Sequence, residues 1–161
     1  MTSTIKLTPS RDIDTLWVVR DRVRFSGYLE GTPVVVLEVQ IPAGSGTPLH
    51  RHPSPEFFRV LSGEVTFTTL QDGEEQRLIA RAGDVLNVPS DVPHGYTNTG
   101  STPAELLVVI DRSMEAFFRE VGTKKPGFGP PTPEELDLVG AACARHGISF
   151  VGTASSTLNV A

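Results

Sequence analysis

Several things are scarce in this chain of 161 residues. It has one cysteine, Cys143, which excludes an internal disulfide and fits a reducing compartment. No basic run is longer than Lys124-Lys125 and the formal net charge is -5, so nucleic acid, which needs a clustered cationic face, is not an expected partner. The longest apolar runs, such as LLVVI at 106–110, fall far short of the roughly 20 residues a bilayer-spanning helix needs. The opening MTSTIKLTPS lacks the apolar centre of a signal peptide. The expectation is a cytoplasmic protein with no membrane partner. Dinucleotide-binding glycine patterns, a P-loop and a G-x-S-x-G elbow do not occur in workable contexts, and there is no internal repeat.

What is plentiful is turn chemistry. Glycine at 15 and proline at 13 break the chain into short runs. Between residues 15 and 110 these runs read as strands: 15–19, 22–29, 33–41, 56–61, 64–70, 76–80, 84–89 and 105–110. EGTP (30–33), PAGSGTP (42–48), QDGE (71–74), RAG (81–83) and NTGSTP (98–103) separate them. Ser62-Gly63 and Asp72-Gly73 are expected to close tight hairpins. So many short strands, with no long helical pattern between them, predict an all-β sandwich or barrel and argue against a parallel βαβ sheet.

After residue 110 the period changes. SMEAFFREV (113–121) places Met114, Phe117, Phe118 and Val121 at helical spacing, with Asp111 or Ser113 as cap. A Pro/Gly connector follows. Thr132 then precedes Pro133 and Glu135, a capping box that predicts a helix to about His146, closed by Gly147. Leu136, Val139 and Cys143 share one face. The expected organisation is a β-barrel over residues 1–112 and a helical appendage over 113–161 packed on it, the last ten residues frayed. Cys143 reads as a buried small hydrophobe, His146 as a helix-end residue, and Arg24 and Arg59 as outward solvated charges.

Only four histidines occur, and two fall in the stretch HRHPSPEFF, residues 50–58. On a strand, residues two apart face the same way, so His50 and His52 project together with Arg51 outward. In the next strand Glu56, Phe58 and Val60 share a face. A carboxylate beside two imidazoles in an apolar interior is costly as bare charge; a divalent cation gives all three groups a partner. The segment GDVLNVPSDVPHGYTN, 83–98, offers His94 as a third nitrogen donor.

The spacings Gly44-x5-His50-x-His52-x3-Glu56-x6-Gly63 and Gly83-x5-Pro89 followed by His94-x3-Asn98 resemble the two motifs of the cupin superfamily. The flanking strands extend the likeness over about 15 to 110. The chain departs from the pattern at Asp91, where a glycine with positive φ is usual and Asp is among the better substitutes. The resemblance implies a double-stranded β-helix (jelly-roll) barrel with His50, His52, Glu56 and His94 holding one divalent transition metal ion: Fe, Mn, Ni, Co, Cu or Zn. It also implies a homodimer, with Trp17 or Phe128 as exposed apolar contacts, and a small-molecule substrate. Among cupins the chain is most similar to quercetin dioxygenase-like bacterial proteins, which implies ring-opening dioxygenation of a flavonol or related enol, with Glu56 as catalytic base. The alternatives are a non-redox isomerase or lyase, or a non-catalytic binder. Tyr28, Phe58, Phe67 and Tyr96 are the candidate substrate-pocket residues.

Overall fold

The computed structural model describes residues 4–152. Most of the chain alternates between apolar and polar residues, and that period of two builds two antiparallel sheets. β3 (Val34–Ile41) shows the rule: Val35, Leu37, Val39 and Ile41 are buried while the residues between them are only partly so. The remaining strands are β1 (Thr15–Val18), β2 (Asp21–Tyr28), β4 (Gly46–Arg51), β5 (Glu56–Ser62), β6 (Glu64–Gln71), β7 (Glu74–Arg81), β8 (Val85–Val88), β9 (His94–Thr97), β10 (Ala104–Asp111) and β11 (Ser149–Phe150). Their order is β1-β2-β3-β10-β5-β8 in one sheet and β11-β4-β9-β6-β7 in the other. Val23, Leu37, Val60, Leu106 and Val108 of the first sheet and Val65, Phe67 and Ala80 of the second belong to one core, the arrangement of a jelly roll.

Two turns expected to behave alike do not. Gln71 pairs with Glu74 across Asp72-Gly73, both residues with positive φ, as a two-residue hairpin requires. Ser62-Gly63 is not a hairpin. β5 pairs with β8 and β10, whereas β6 pairs with β7 and β9, so Gly63 carries the chain from one sheet to the other. The segment 42–48, read as a separator, already contains the start of β4. β11 was not anticipated.

Asp111 caps α1 (Arg112–Val121), its side chain accepting from the backbone N–H groups of Ser113 and Met114. Met114 and Phe117 are buried on one face, each contributing about 1.5–3 kcal/mol of burial. The capping box of Thr132 and Glu135 opens α2 (Pro133–Arg145). Its inward face is Ala142 and Cys143, with Val139 packed partly against the core; Leu136 is exposed rather than buried. Arg145 and His146 both reach Glu120 of α1. The helices are therefore tied to each other as well as to the barrel. Residues 153–161, most of the stretch expected to fray, lie outside the described residues. Among the described residues no helix is long and apolar enough to cross a membrane.

The connector is held to the barrel as well. Thr123 and Trp17 exchange backbone hydrogen bonds of 2.8 and 2.9 Å, a bridge on the outer edge of β1. Trp17 is half-buried there, not the exposed contact expected of it, whereas Phe128 is 88% exposed.

Candidate metal centre

The strands that carry the histidines lie side by side because two glycines let them. In the β4–β9 pair His50 sits opposite His94, and the register shifts between Thr47 and His50. A Cβ on Gly95 would stand 2.8 Å from the Thr47 carbonyl oxygen, and one on Gly46 would stand 2.1 Å from that of Tyr96. Both are backbone clashes, so this seam admits no side chain at either position.

His52 lies just past the end of β4, and its carbonyl accepts from the Asp91 N–H at 2.9 Å. Asp91 adopts φ 61°, the conformation for which glycine is usual, and so ties the turn before His94 to the loop carrying His52. Asn98 is buried and donates to the Ile41 and Thr102 carbonyls, pinning the far end of β9.

These strands bring one nitrogen from each of His50, His52 and His94 within 4.8 Å of the others. The Glu56 side chain turns inward, its Oε2 3.2 Å from His94 Nε2 and its Oε1 3.5 Å from His52 Nε2. His50 Nδ1 lies 2.8 Å from the Pro48 carbonyl, and His94 Nδ1 lies 2.8 Å from that of Val92. A carbonyl only accepts, so each Nδ1 carries the proton and leaves Nε2 as a lone-pair donor. His52 is 2% exposed, and among the described residues neither of its ring nitrogens has a hydrogen-bond partner.

That orphaned imidazole tests the fit to a metal. Buried polar nitrogens without partners are costly. A lone pair on His94 facing a carboxylate oxygen is repulsive unless a proton or a cation stands between them. One divalent ion would give the three clustered histidine nitrogens and the facing Glu56 carboxylate a common partner, and such a donor set suits a transition metal. Burial, followed by the neighbouring His94, holds His50 down to about 4, and burial also lowers His52. Burial acts to lower His94 as well, but the Glu56 carboxylate and the Val92 carbonyl outweigh it and leave His94 raised.

The aromatic candidates divide. Phe58 lies 5.2 Å from Phe67 and 6.4 Å from His94, ring centre to ring centre, and Tyr96 is within 6.3 Å of both phenylalanines. These three form an apolar floor beside the histidines. Tyr28 does not join them. It ends β2 at the α1 face, where its hydroxyl donates to Glu115 at 2.7 Å and accepts from Arg119 at 2.9 Å.

Asp21 was not singled out from the sequence. It is buried, and its carboxylate accepts from Ser45 Oγ at 2.7 Å and from the Tyr96 hydroxyl at 2.9 Å. Burial raises its pKa to about 6 against the pull of those two bonds, and burial followed by Asp21 itself raises Tyr96 well above its usual value. Nothing in the local sequence around Asp21 signals this, because its partners lie 24 and 75 residues away.

Residues 37–110 match the family model described as a cupin domain, and the jelly-roll fold of the described residues is that of cupins. It is similar in fold to an RmlC-like cupin from Shewanella frigidimarina, with a TM-score of 0.58, 19% identity, and coverage of 73% of this chain and 99% of that one. In sequence it is 36% identical over 77 residues to the dimethylsulfoniopropionate lyase DddQ of Ruegeria pomeroyi, covering 48% of this chain and 36% of the lyase. It is also 36% identical over 73 residues to an oxalate-binding protein of Thermotoga maritima, covering 45% of this chain and 57% of that protein. The matched stretch thus spans little more than half, or less, of these two relatives.

Proposed function

We propose that the chain is a mononuclear metal-dependent cupin enzyme acting on a small enolisable compound, with His50, His52, His94 and Glu56 as the ligands. The observation that carries this reading is the buried His52 ring, whose two nitrogens have no hydrogen-bond partner among the described residues and stand beside a carboxylate and two further imidazoles. A bound divalent ion supplies Lewis-acid polarisation of a substrate oxygen and, where redox-active, a means of using O₂. The chain's own residues do the rest. The Pro48 and Val92 carbonyls hold two imidazoles in the ligating tautomer. Glu56, already within reach of His94, is placed to take a proton from the carbon next to a substrate carbonyl. Phe58, Phe67 and Tyr96 keep that side of the site dry, which suits an uncharged enol or flavonol-like ring and supports dioxygenation as the reaction.

A second reading, non-redox lyase or isomerase chemistry, draws support from the same Glu56 placement and from the names of the two sequence relatives, a lyase and an oxalate binder. Both would use the same four side chains. The experiment is metal analysis of purified wild type and His52→Ala, followed by turnover screens over enols, flavonols and small carboxylates with and without O₂. The expected result is near-stoichiometric transition metal in wild type and at least a tenfold loss in His52→Ala with the β-rich circular dichroism retained. Undiminished metal in the variant sinks the ligand assignment. Anaerobic turnover moves the reaction from dioxygenation to the non-redox class.

A further inference from the structure

The pairing registers place one row of side chains across the inner face of the β11-β4-β9-β6-β7 sheet. Directly opposed residues in antiparallel strands share a face. Phe150 opposes His50, His50 opposes His94, His94 opposes Thr69 and Thr69 opposes Gln76. The row is apolar at the end supplied by the C-terminal tail, ligating in the middle and polar at the β7 end.

Two further observations give Phe150 meaning. His52 and His94 are buried while His50 is only partly so, which makes His50, the cross-strand neighbour of Phe150, the most accessible of the three imidazoles. Phe150 itself is 53% exposed, although its backbone is well anchored. Ile148 is buried, its N–H donates to the Cys143 carbonyl at 2.9 Å, and the Val151 N–H donates to the Leu49 carbonyl at 2.9 Å. A large aromatic residue on anchored backbone, 53% exposed and directly opposite His50 in the strand pairing, offers apolar surface that the described residues leave uncovered.

We propose that Phe150 is a specificity-determining residue that forms the apolar wall of the substrate mouth. It selects molecules that present an oxygen donor to the histidine cluster and a planar apolar group towards the tail. The assignment rests on the metal-centre reading above and extends it by giving the substrate a direction. The tail helices then do more than cover the barrel: α2 and its anchor at Ile148 carry the ring into place.

The test uses benzoate and acetate, which share a carboxylate and differ in the ring. Each is titrated into Co(II)-loaded wild type, Phe150→Ala and Phe150→Leu, read by the cobalt electronic spectrum. Stacking and burial of one ring should favour benzoate by about tenfold in wild type. Phe150→Ala should bring the two within about twofold, with acetate binding and cobalt content unchanged, and Phe150→Leu should fall between. A benzoate preference that survives in Phe150→Ala overturns the wall, as does a wild type without the preference. A wild type that takes up no cobalt overturns the metal centre instead. The wall is then judged by NMR of protein with ring-labelled phenylalanine, the Phe150 signal being the one missing in Phe150→Leu. Movement of that signal with benzoate and not acetate sustains the wall, and a signal that stays put overturns it.

Discussion

The two flanks of the barrel are finished differently. On one, the edge strands β1 and β4 are both covered by the C-terminal tail, β1 through the Thr123 bridge and β4 through β11. On the other, among the described residues β7 and β8 have no further strand beside them in their sheets, and Leu78, Ile79 and Val85 are exposed. The histidines of β4 and β9 lie towards the covered flank. An edge strand is a weak place to fix a ligand to within a few tenths of an ångström, because its backbone is bonded on one side only. β11 and the paired loops of His52 and Asp91 remove that weakness where the four donors converge. The bare flank carries no such demand.

Four changes would break or sharpen this contrast. The largest effect is expected from Gly95→Ala, which drives a Cβ into the Thr47 and Pro48 carbonyls. It should cost about 3 kcal/mol in urea unfolding and lower bound metal by roughly tenfold, because it forces His50 and His94 apart.

Next is the pH dependence of Asp21, which joins β2 to Ser45 and to β9 on the covered side. Its folded pKa of about 6 lies above the ordinary 3.8, so the fold holds that proton longer than the unfolded chain does. Its contribution is therefore complete below about pH 4 and is lost as pH rises through about 6, a fall of about 2 to 3 kcal/mol. Wild-type stability minus that of Asp21→Asn, measured by denaturant midpoints from pH 4 to 7, should follow that curve. A flat difference would mean that the Asp21 carboxylate is not held as described.

Ile148→Ala removes the buried anchor of β11 and should cost about 2 kcal/mol, with faster amide exchange at Val151, whose N–H is bonded to Leu49. Ile79→Lys on the bare flank should stay within about 0.5 kcal/mol. A large loss there would show that a partner covers β7 in solution.

Much of the site could be read from the chain because its donors are local. His50, His52 and Glu56 fall within seven consecutive residues, and strand period two settles which way they face. The positive φ at Asp91 was legible too, as the penalty on non-glycine residues in that region is a local matter. What escaped depends on contacts far apart in the chain. Phe150 is brought to His50, 100 positions earlier in the chain, by a two-residue strand, too short to show a period. Ser62-Gly63 has the composition of a hairpin, but the partners of β5 and β6 lie in different sheets, and composition does not report partners. Strict alternation puts Tyr28 out of phase with the inward Val23 and Phe25; the register shift between Phe25 and Gly27 sets it opposite Val35 at the end of the strand, where its hydroxyl meets Glu115 and Arg119 of α1.

The tail's occupation of β1 and β4 has a consequence for assembly. Chains that associate by adding strand to strand need a free edge on each side to grow indefinitely. Among the described residues the bare edges β7 and β8 follow one another along the chain, whereas β4 is bordered by β11 and β1 is bridged by Thr123. Strand addition is therefore open at β7, which β6 separates from the β4–β9 pair that carries His50 and His94.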